Sequence, residues 1–311
     1  MNMMPTRIAK RASGLMVIAS LAAALLASVS HAIVWGEPDG EGHPKVGALF
    51  LKFETGSFAL GPGVPPDILP ICTGSLVGKS GARGLFLTAG HCVEAAIGAS
   101  QALAPLNPKV VVSFSANLHA DPGSLISVDM AALHWDFGPL PRSFPNAGFS
   151  LEMDDIGVIV LVAEQAADLP EPVNLPAAGP SPALLDAIGR RGFLESELRA
   201  VGFGDDIIEP TPHTRAMVFG VREVAFPRPV NLNEKWLLAQ QVGASGSSGV
   251  FFGDSGAPVF WVNPATLEEV LVAIAGAPVG NLDVVAMVQH YRIDIARSLE
   301  FIEAVKTAEG F

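Results

Sequence analysis

Cysteine and tyrosine are nearly absent from this chain, with two of the first and one of the second in 311 residues. Two thiols cannot build a four-ligand structural zinc site alone, and no His-Glu-x-x-His pattern offers another metal centre. Cationic charge is scarce as well: 19 Lys and Arg stand against 31 Asp and Glu, a net charge of −12. Nucleic acid and anionic membranes both require a cationic face, so neither is expected as a partner. Aromatic residues are few, whereas Gly (32) and Pro (25) are abundant. Turn residues recurring between short apolar runs suggest an all-β protein with many loops. Half of the residues are hydrophobic, enough at this length for one large domain or two small ones with real cores.

No apolar run after the first 30 residues is long enough to span a bilayer. At the start, Arg7, Lys10 and Arg11 precede Leu15 to Val29, an apolar and small-residue run of about 15 residues, short of the roughly 20 a spanning helix needs. Ser30-His31-Ala32 then places small residues where a signal peptidase reads. Residues 1–32 are expected to be a cleaved export signal, an uncleaved anchor being the alternative. Cleavage removes three positive charges and no negative one, taking the net charge from −12 to −15. Export implies an oxidising compartment, and there Cys72 and Cys92 are expected to form one disulfide. It would close a loop of about 20 residues and add roughly 3 kcal/mol. Two free buried thiols are the alternative.

Short strands are predicted at Val46 to Phe53, Gly74 to Val77 and Gly84 to Ala89. Val110 to Ser115 and Ile156 to Val162 carry stronger signals, being rich in β-branched residues. From Leu169 to Pro182 the composition is proline-rich and linker-like. A short helix at Leu184 to Arg191 follows. Strand-like text resumes at Leu198 to Phe203, Met217 to Val224, Ala257 to Val262 and Val270 to Ala275. Leu299, Ile302 and Val305 recur at near-helical spacing in a terminal amphipathic helix from about Ile295 to Lys306. The outline is two β-rich halves joined near residues 165–183.

Three segments carry chemistry. Gly253-Asp254-Ser255-Gly256-Ala257-Pro258 lies between two apolar runs. Its glycines permit a tight turn that exposes the serine hydroxyl, and the Gly253 and Ser255 amides can converge on a developing oxyanion. The same tetrapeptide also occurs as an ordinary loop. Leu85 to Cys92 runs from a strand into a turn, which delivers His91 beside a half-cystine able to pin it. A general base needs such fixing of distance and tautomer, although a merely structural histidine would look alike. Asp154-Asp155 introduces the strand Ile156 to Leu161. Asp155, nearer the apolar run, is the residue expected to orient His91, and Asp154 is expected to point into water.

The order His, Asp, Ser differs from that of α/β-hydrolases and of subtilisins, and Gly253 to Ala257 is not Gly-x-Ser-x-Gly. TAGHC at 88–92, DIGVIVL at 155–161 and GDSGAP at 253–258 resemble the trypsin/chymotrypsin-like serine proteases, in particular their secreted bacterial members. Ile33 to Gly36, Gly42 to Val46, His134 to Phe137 and Val201 to Gly204 extend the resemblance over most of the chain. It implies an all-β fold of two antiparallel six-stranded β-barrels, with the active site between them and a C-terminal α-helix. Residues 33–168 would form the first barrel, carrying His91 and Asp155. Residues 169–311 would form the second barrel with Ser255, and the helix.

The resemblance further implies a secreted, monomeric endopeptidase acting on protein or peptide substrates, with no metal or organic cofactor and no membrane association after signal cleavage. His91, Asp155 and Ser255 would be its triad, and Gly253 and Ser255 its oxyanion hole. A free Ile33 amine would pair with Asp254 and order the site. The specificity pocket would involve Gly249, Val250, Gly276, Ala277 and Pro278. Trypsins carry an acidic residue at the place of Gly249, so an apolar or small side chain is expected beside the cleaved bond. Pro278 lacks an N–H and would forgo one bond to an extended peptide, worth about 1 kcal/mol. A weakly catalytic binding protein on the same fold and a serine esterase are the alternatives.

Overall fold

The structure is a computed structural model that describes residues 35–57, 59, 64–123, 125–138, 153–177, 183–204, 219–279 and 287–311, without the Pro278 side chain. The expected signal segment 1–32 and Ile33 lie outside these residues. Among the described residues no helix is long and apolar enough to cross a membrane.

The first half is a closed barrel. Its strands are β2 (Val46–Lys52), β3 (Ile68–Ser80), β4 (Arg83–Thr88), β5 (Lys109–Ser113), β6 (Ile126–Phe137) and β7 (Asp155–Val162). They close in the order β2-β3-β4-β7-β6-β5. Closure is what a run such as Val46 to Leu51 requires, because every one of its side chains is buried. β3 and β4 are the strands predicted at 74–77 and 84–89, the former longer than its apolar text. β6 is half exposed and mixed in pattern, and only its end had been singled out.

A helix was missed altogether. α1 (Gly90–Ala102) starts directly after β4, so His91 stands in a helical first turn rather than in a bare turn. Gly157 of β7 lets α1 approach: a Cβ there would lie 2.6 Å from Val93 Cγ2 and 3.0 Å from the Ala89 carbonyl oxygen. That close approach sets the helix start against the start of β7.

The second half shows no second closed barrel among the described residues. Eight antiparallel strands form one curled sheet, ordered β1-β9-β8-β12-β13-β14-β11-β10. They are β1 (Glu37–Pro38), β8 (Leu198–Gly202), β9 (Glu223–Ala225), β10 (Arg228–Leu232), β11 (Trp236–Gln240), β12 (Pro258–Val262), β13 (Glu269–Val279) and β14 (Met287–Arg292). Among the described residues β1 and β10 remain its two edges. The helix expected at 184–191 is two short pieces, α2 (Leu184–Ala187) and α3 (Gly189–Leu194), broken at Gly189, whose φ is +70°. α4 (Ala296–Glu309) is the terminal helix and buries Leu299, Ile302 and Val305 as its spacing requires.

The halves share a core. Barrel residues such as Phe50, Phe86 and Val160 form one apolar cluster with Phe203, Phe260, Ile274, Tyr291 and Ile302. Arg222, fully buried, ties the same seam. Its guanidinium donates to Asp39 (2.7 Å), to the Gly40 carbonyl (2.6 Å) and to the Phe114 carbonyl (3.0 Å). A buried guanidinium is tolerated only when its donors are satisfied in this way.

Candidate active site

Antiparallel pairing of β4 with β7 sets Thr88 opposite Gly157, so the start of α1 lies beside the first residue of β7. Asp155 is that residue and is 0% exposed. His91 Nδ1 lies 2.9 Å from Asp155 Oδ2 and 3.1 Å from Oδ1, while the His91 backbone N–H donates to Oδ1 at 3.0 Å. An ionised carboxylate only accepts, so the Nδ1 position carries the hydrogen, and Nε2, 3.8 Å from Cys92 Sγ, is the unprotonated nitrogen. That tautomer is the one a general base needs. The Phe137 ring, at 5.8 Å, flanks the imidazole.

Cys72 and Cys92 are joined in a disulfide, with Cα atoms 6.0 Å apart. It links β3 to the residue after His91. Ring and sulfurs lie close enough to suggest a metal-binding cluster, but sulfurs bonded to each other offer no thiolate ligand.

The Ser255 loop is held against β3 and the end of β4, the strand that leads into His91. The Thr73 amide donates to the Ser255 carbonyl at 2.9 Å, and the Thr73 hydroxyl donates to the Gly253 carbonyl at 3.1 Å. The Thr88 hydroxyl in turn donates to the Thr73 carbonyl at 2.8 Å. On the far side, Gly256 N–H donates to the Ala275 carbonyl at 2.7 Å. Gly256 has φ +79°, and a Cβ on it would fall 2.1 Å from Thr88 Oγ1 and 2.8 Å from the Ala89 nitrogen. The loop thus rests on the turn that leads into His91, and Ser255 remains partly exposed.

Gly253, at φ +93°, adopts a backbone conformation that residues with a side chain rarely take. Among the described residues neither its amide nor that of Ser255 has an acceptor. Two unengaged donors two positions apart, beside a serine, are the kind of groups that can accept an anion. Asp254 turns the opposite way. Its buried carboxylate accepts from Gly204 N–H (2.7 Å) and Phe251 N–H (2.9 Å). Its expected partner, Ile33, lies outside the described residues.

Of the expected pocket residues, Val250 is buried and Gly249 lies against Gln241, whose Nε2 donates to the Val250 carbonyl at 3.0 Å. Gly276 sits where β13 shifts register between Ala275 and Ala277, and a Cβ on it would meet the Trp236 ring at 2.8 Å. Pro278 pairs with Val288 of β14. Next along β14, His290 faces Leu237 and Ala275, with both ring nitrogens unpartnered; burial pushes its pKa down to about 3. It therefore stays neutral at physiological pH.

Asp154 requires a correction. Expected to point into water, it is 7% exposed and ion-paired. Tyr291 Oη donates to its Oδ1 (2.7 Å), Lys235 Nζ lies 3.2 Å away, and Arg297 reaches Oδ2 at 2.6 Å. All three partners come from the second half, 81 or more positions along the chain, beyond the reach of local pattern. Thr73, Thr88 and this charged cluster are the site's neighbours that sequence reasoning missed. Only the apolar text around Thr73 and Thr88, which puts their hydroxyls in a core, hinted at them.

No protein-family model matches the chain, and no curated protein matches it.

Proposed function

We propose that this chain is a secreted serine endopeptidase of the trypsin/chymotrypsin-like class, cleaving peptide bonds through Ser255, His91 and Asp155. The observation that carries the reading is the Nδ1-anchored His91–Asp155 pair with a serine loop, bearing two unengaged amides, packed on the same turn. In this reading the curled eight-stranded sheet takes the place of the second barrel.

Ser255 Oγ attacks the scissile carbonyl as His91 Nε2 takes its proton, and Asp155 stabilises the imidazolium. The Gly253 and Ser255 amides receive the oxyanion, each worth about 3 kcal/mol to the transition state. His91 then protonates the leaving amine, and water, deprotonated by the same imidazole, releases the acyl group. The chemistry uses the chain's own groups throughout. Specificity follows from Gly249 and Val250: with no carboxylate there, Arg and Lys find no counter-charge, and an uncharged apolar or small side chain fits best. The disulfide is in keeping with export to an oxidising compartment.

The test compares wild type with Ser255→Ala on a fluorophosphonate probe and a diverse peptide library. Labelling of wild type alone, with peptides cleaved after uncharged side chains, is expected. Equal inactivity on probe and peptides would leave a binding protein, and labelling without peptide cleavage an esterase.

A further inference from the structure

We propose that Thr73, a residue of the first barrel, is a positioning residue that shapes the oxyanion-accepting loop of the second half. The inference rests on the acyl-transfer reading above and adds a member to that site.

The geometry begins with burial. Thr73 is 0% exposed and sits on β3, immediately after the disulfide residue Cys72. It touches the Ser255 loop twice, once at the carbonyl of each residue that supplies an oxyanion amide. Its N–H holds the Ser255 carbonyl (2.9 Å), and its hydroxyl holds the Gly253 carbonyl (3.1 Å). The hydroxyl cannot rotate freely to other partners. It accepts the Phe203 N–H at 3.2 Å, so its own hydrogen is left to point at the Gly253 carbonyl.

That second contact falls where the loop is softest. Gly253, with no side chain and φ +93°, can interconvert between backbone states at little cost. Rotation of the peptide units beside it would swing the Gly253 amide away from the substrate carbonyl. The Asp254 carboxylate fixes the loop at Phe251 and Gly204, and Gly256 is fixed by Ala275. Between those anchors, the Thr73 hydroxyl is the side-chain donor on Gly253. A transition-state donor displaced by a fraction of an ångström loses most of its benefit, whereas substrate binding elsewhere is unaffected.

Three variants test this: Thr73→Val, Thr73→Ala and Thr73→Ser. The last two both lack the methyl group and differ only in the hydroxyl. Expected are a fall in kcat of about 10- to 100-fold for Val and Ala with KM changed less than about 3-fold, and recovery to within about 3-fold of wild type for Ser. A peptide aldehyde, whose serine adduct places an oxyanion between the two amides, should lose affinity in parallel with kcat. If Val proves too unstable to assay, the Ala and Ser pair decides. Wild-type kcat in Thr73→Ala, or an equal loss in Thr73→Ser, overturns the proposal. Wild type that neither labels nor cleaves overturns instead the acyl-transfer reading beneath it.

Discussion

The two halves solve the same edge problem differently. The first closes on itself, so its six strands have no free edge and its functional groups stand on regular elements, His91 on α1 and Asp155 on β7. The second, among the described residues, is an open sheet with two short strands, β1 and β10, at its margins, and it carries the serine on a loop shaped by glycines. On the proposed reading, rigid scaffolding suits a base and its orienting carboxylate, which must hold one tautomer. A nucleophile and its oxyanion donors would instead draw on unusual backbone dihedrals such as that of Gly253. The difference would place precision in the first half and permissiveness in the second.

The largest effect expected falls on the rigid half. Asp155→Asn retains the shape but presents an amide to Nδ1 and favours the wrong tautomer, so kcat should drop about 10⁴-fold with folding intact. Activity within tenfold of wild type would show that the first half does not supply the orienting charge. Next comes the seam. Arg222→Met leaves Asp39 buried without its guanidinium, at a cost of about 3–5 kcal/mol, measurable as a lowered urea midpoint. A midpoint unchanged from wild type would mean that the halves are held by their apolar cluster alone.

The smallest effect is on pH. Burial works against charge on His43, but Asp39 and Glu269 outweigh it and raise its pKa to about 9. The unfolded value is near 6.5, so the imidazolium's contribution is complete below that and is lost as pH rises through about 9. Tm should fall by a few degrees between neutral pH and pH 10. In His43→Gln that alkaline decline should be shallower. Because His43 joins the segment after β1 to Glu269 of β13, the decline reports on the open half specifically.

Much of this was legible in local text. β-branched runs marked β5 and β7, the spacing of Leu299, Ile302 and Val305 marked α4, and short motifs singled out His91, Asp155 and Ser255 as candidates, of which His91 and Asp155 are hydrogen-bonded to each other. Where recognition needed distance along the chain, it failed. α1 carries no strong apolar stripe, because its buried side is mostly small (Gly90, Cys92, Val93, Ala96) and small residues such as Ala95 and Gly98 recur on its exposed side. β6 alternates poorly because its pairing with β7 shifts register between Val128 and Leu133, which breaks the period of two. Asp154 and Asp155 read alike in sequence; what separates them is whether His91 or the trio Tyr291, Lys235 and Arg297 arrives beside them. Closure of the second sheet was expected from family resemblance, and no apolar pattern in β1 or β10 had required it.

The contact between Thr73 and Gly253 spans 180 positions of the chain. A ribosome finishes β3 long before it reaches the serine loop. On the proposed reading the growing polypeptide holds, throughout that interval, a base with nothing to activate, and afterwards a serine whose loop is braced by the earlier strand. On the proposed reading, synthesis order acts as a safety catch: neither half can cut its neighbours, or itself, until both have folded and met.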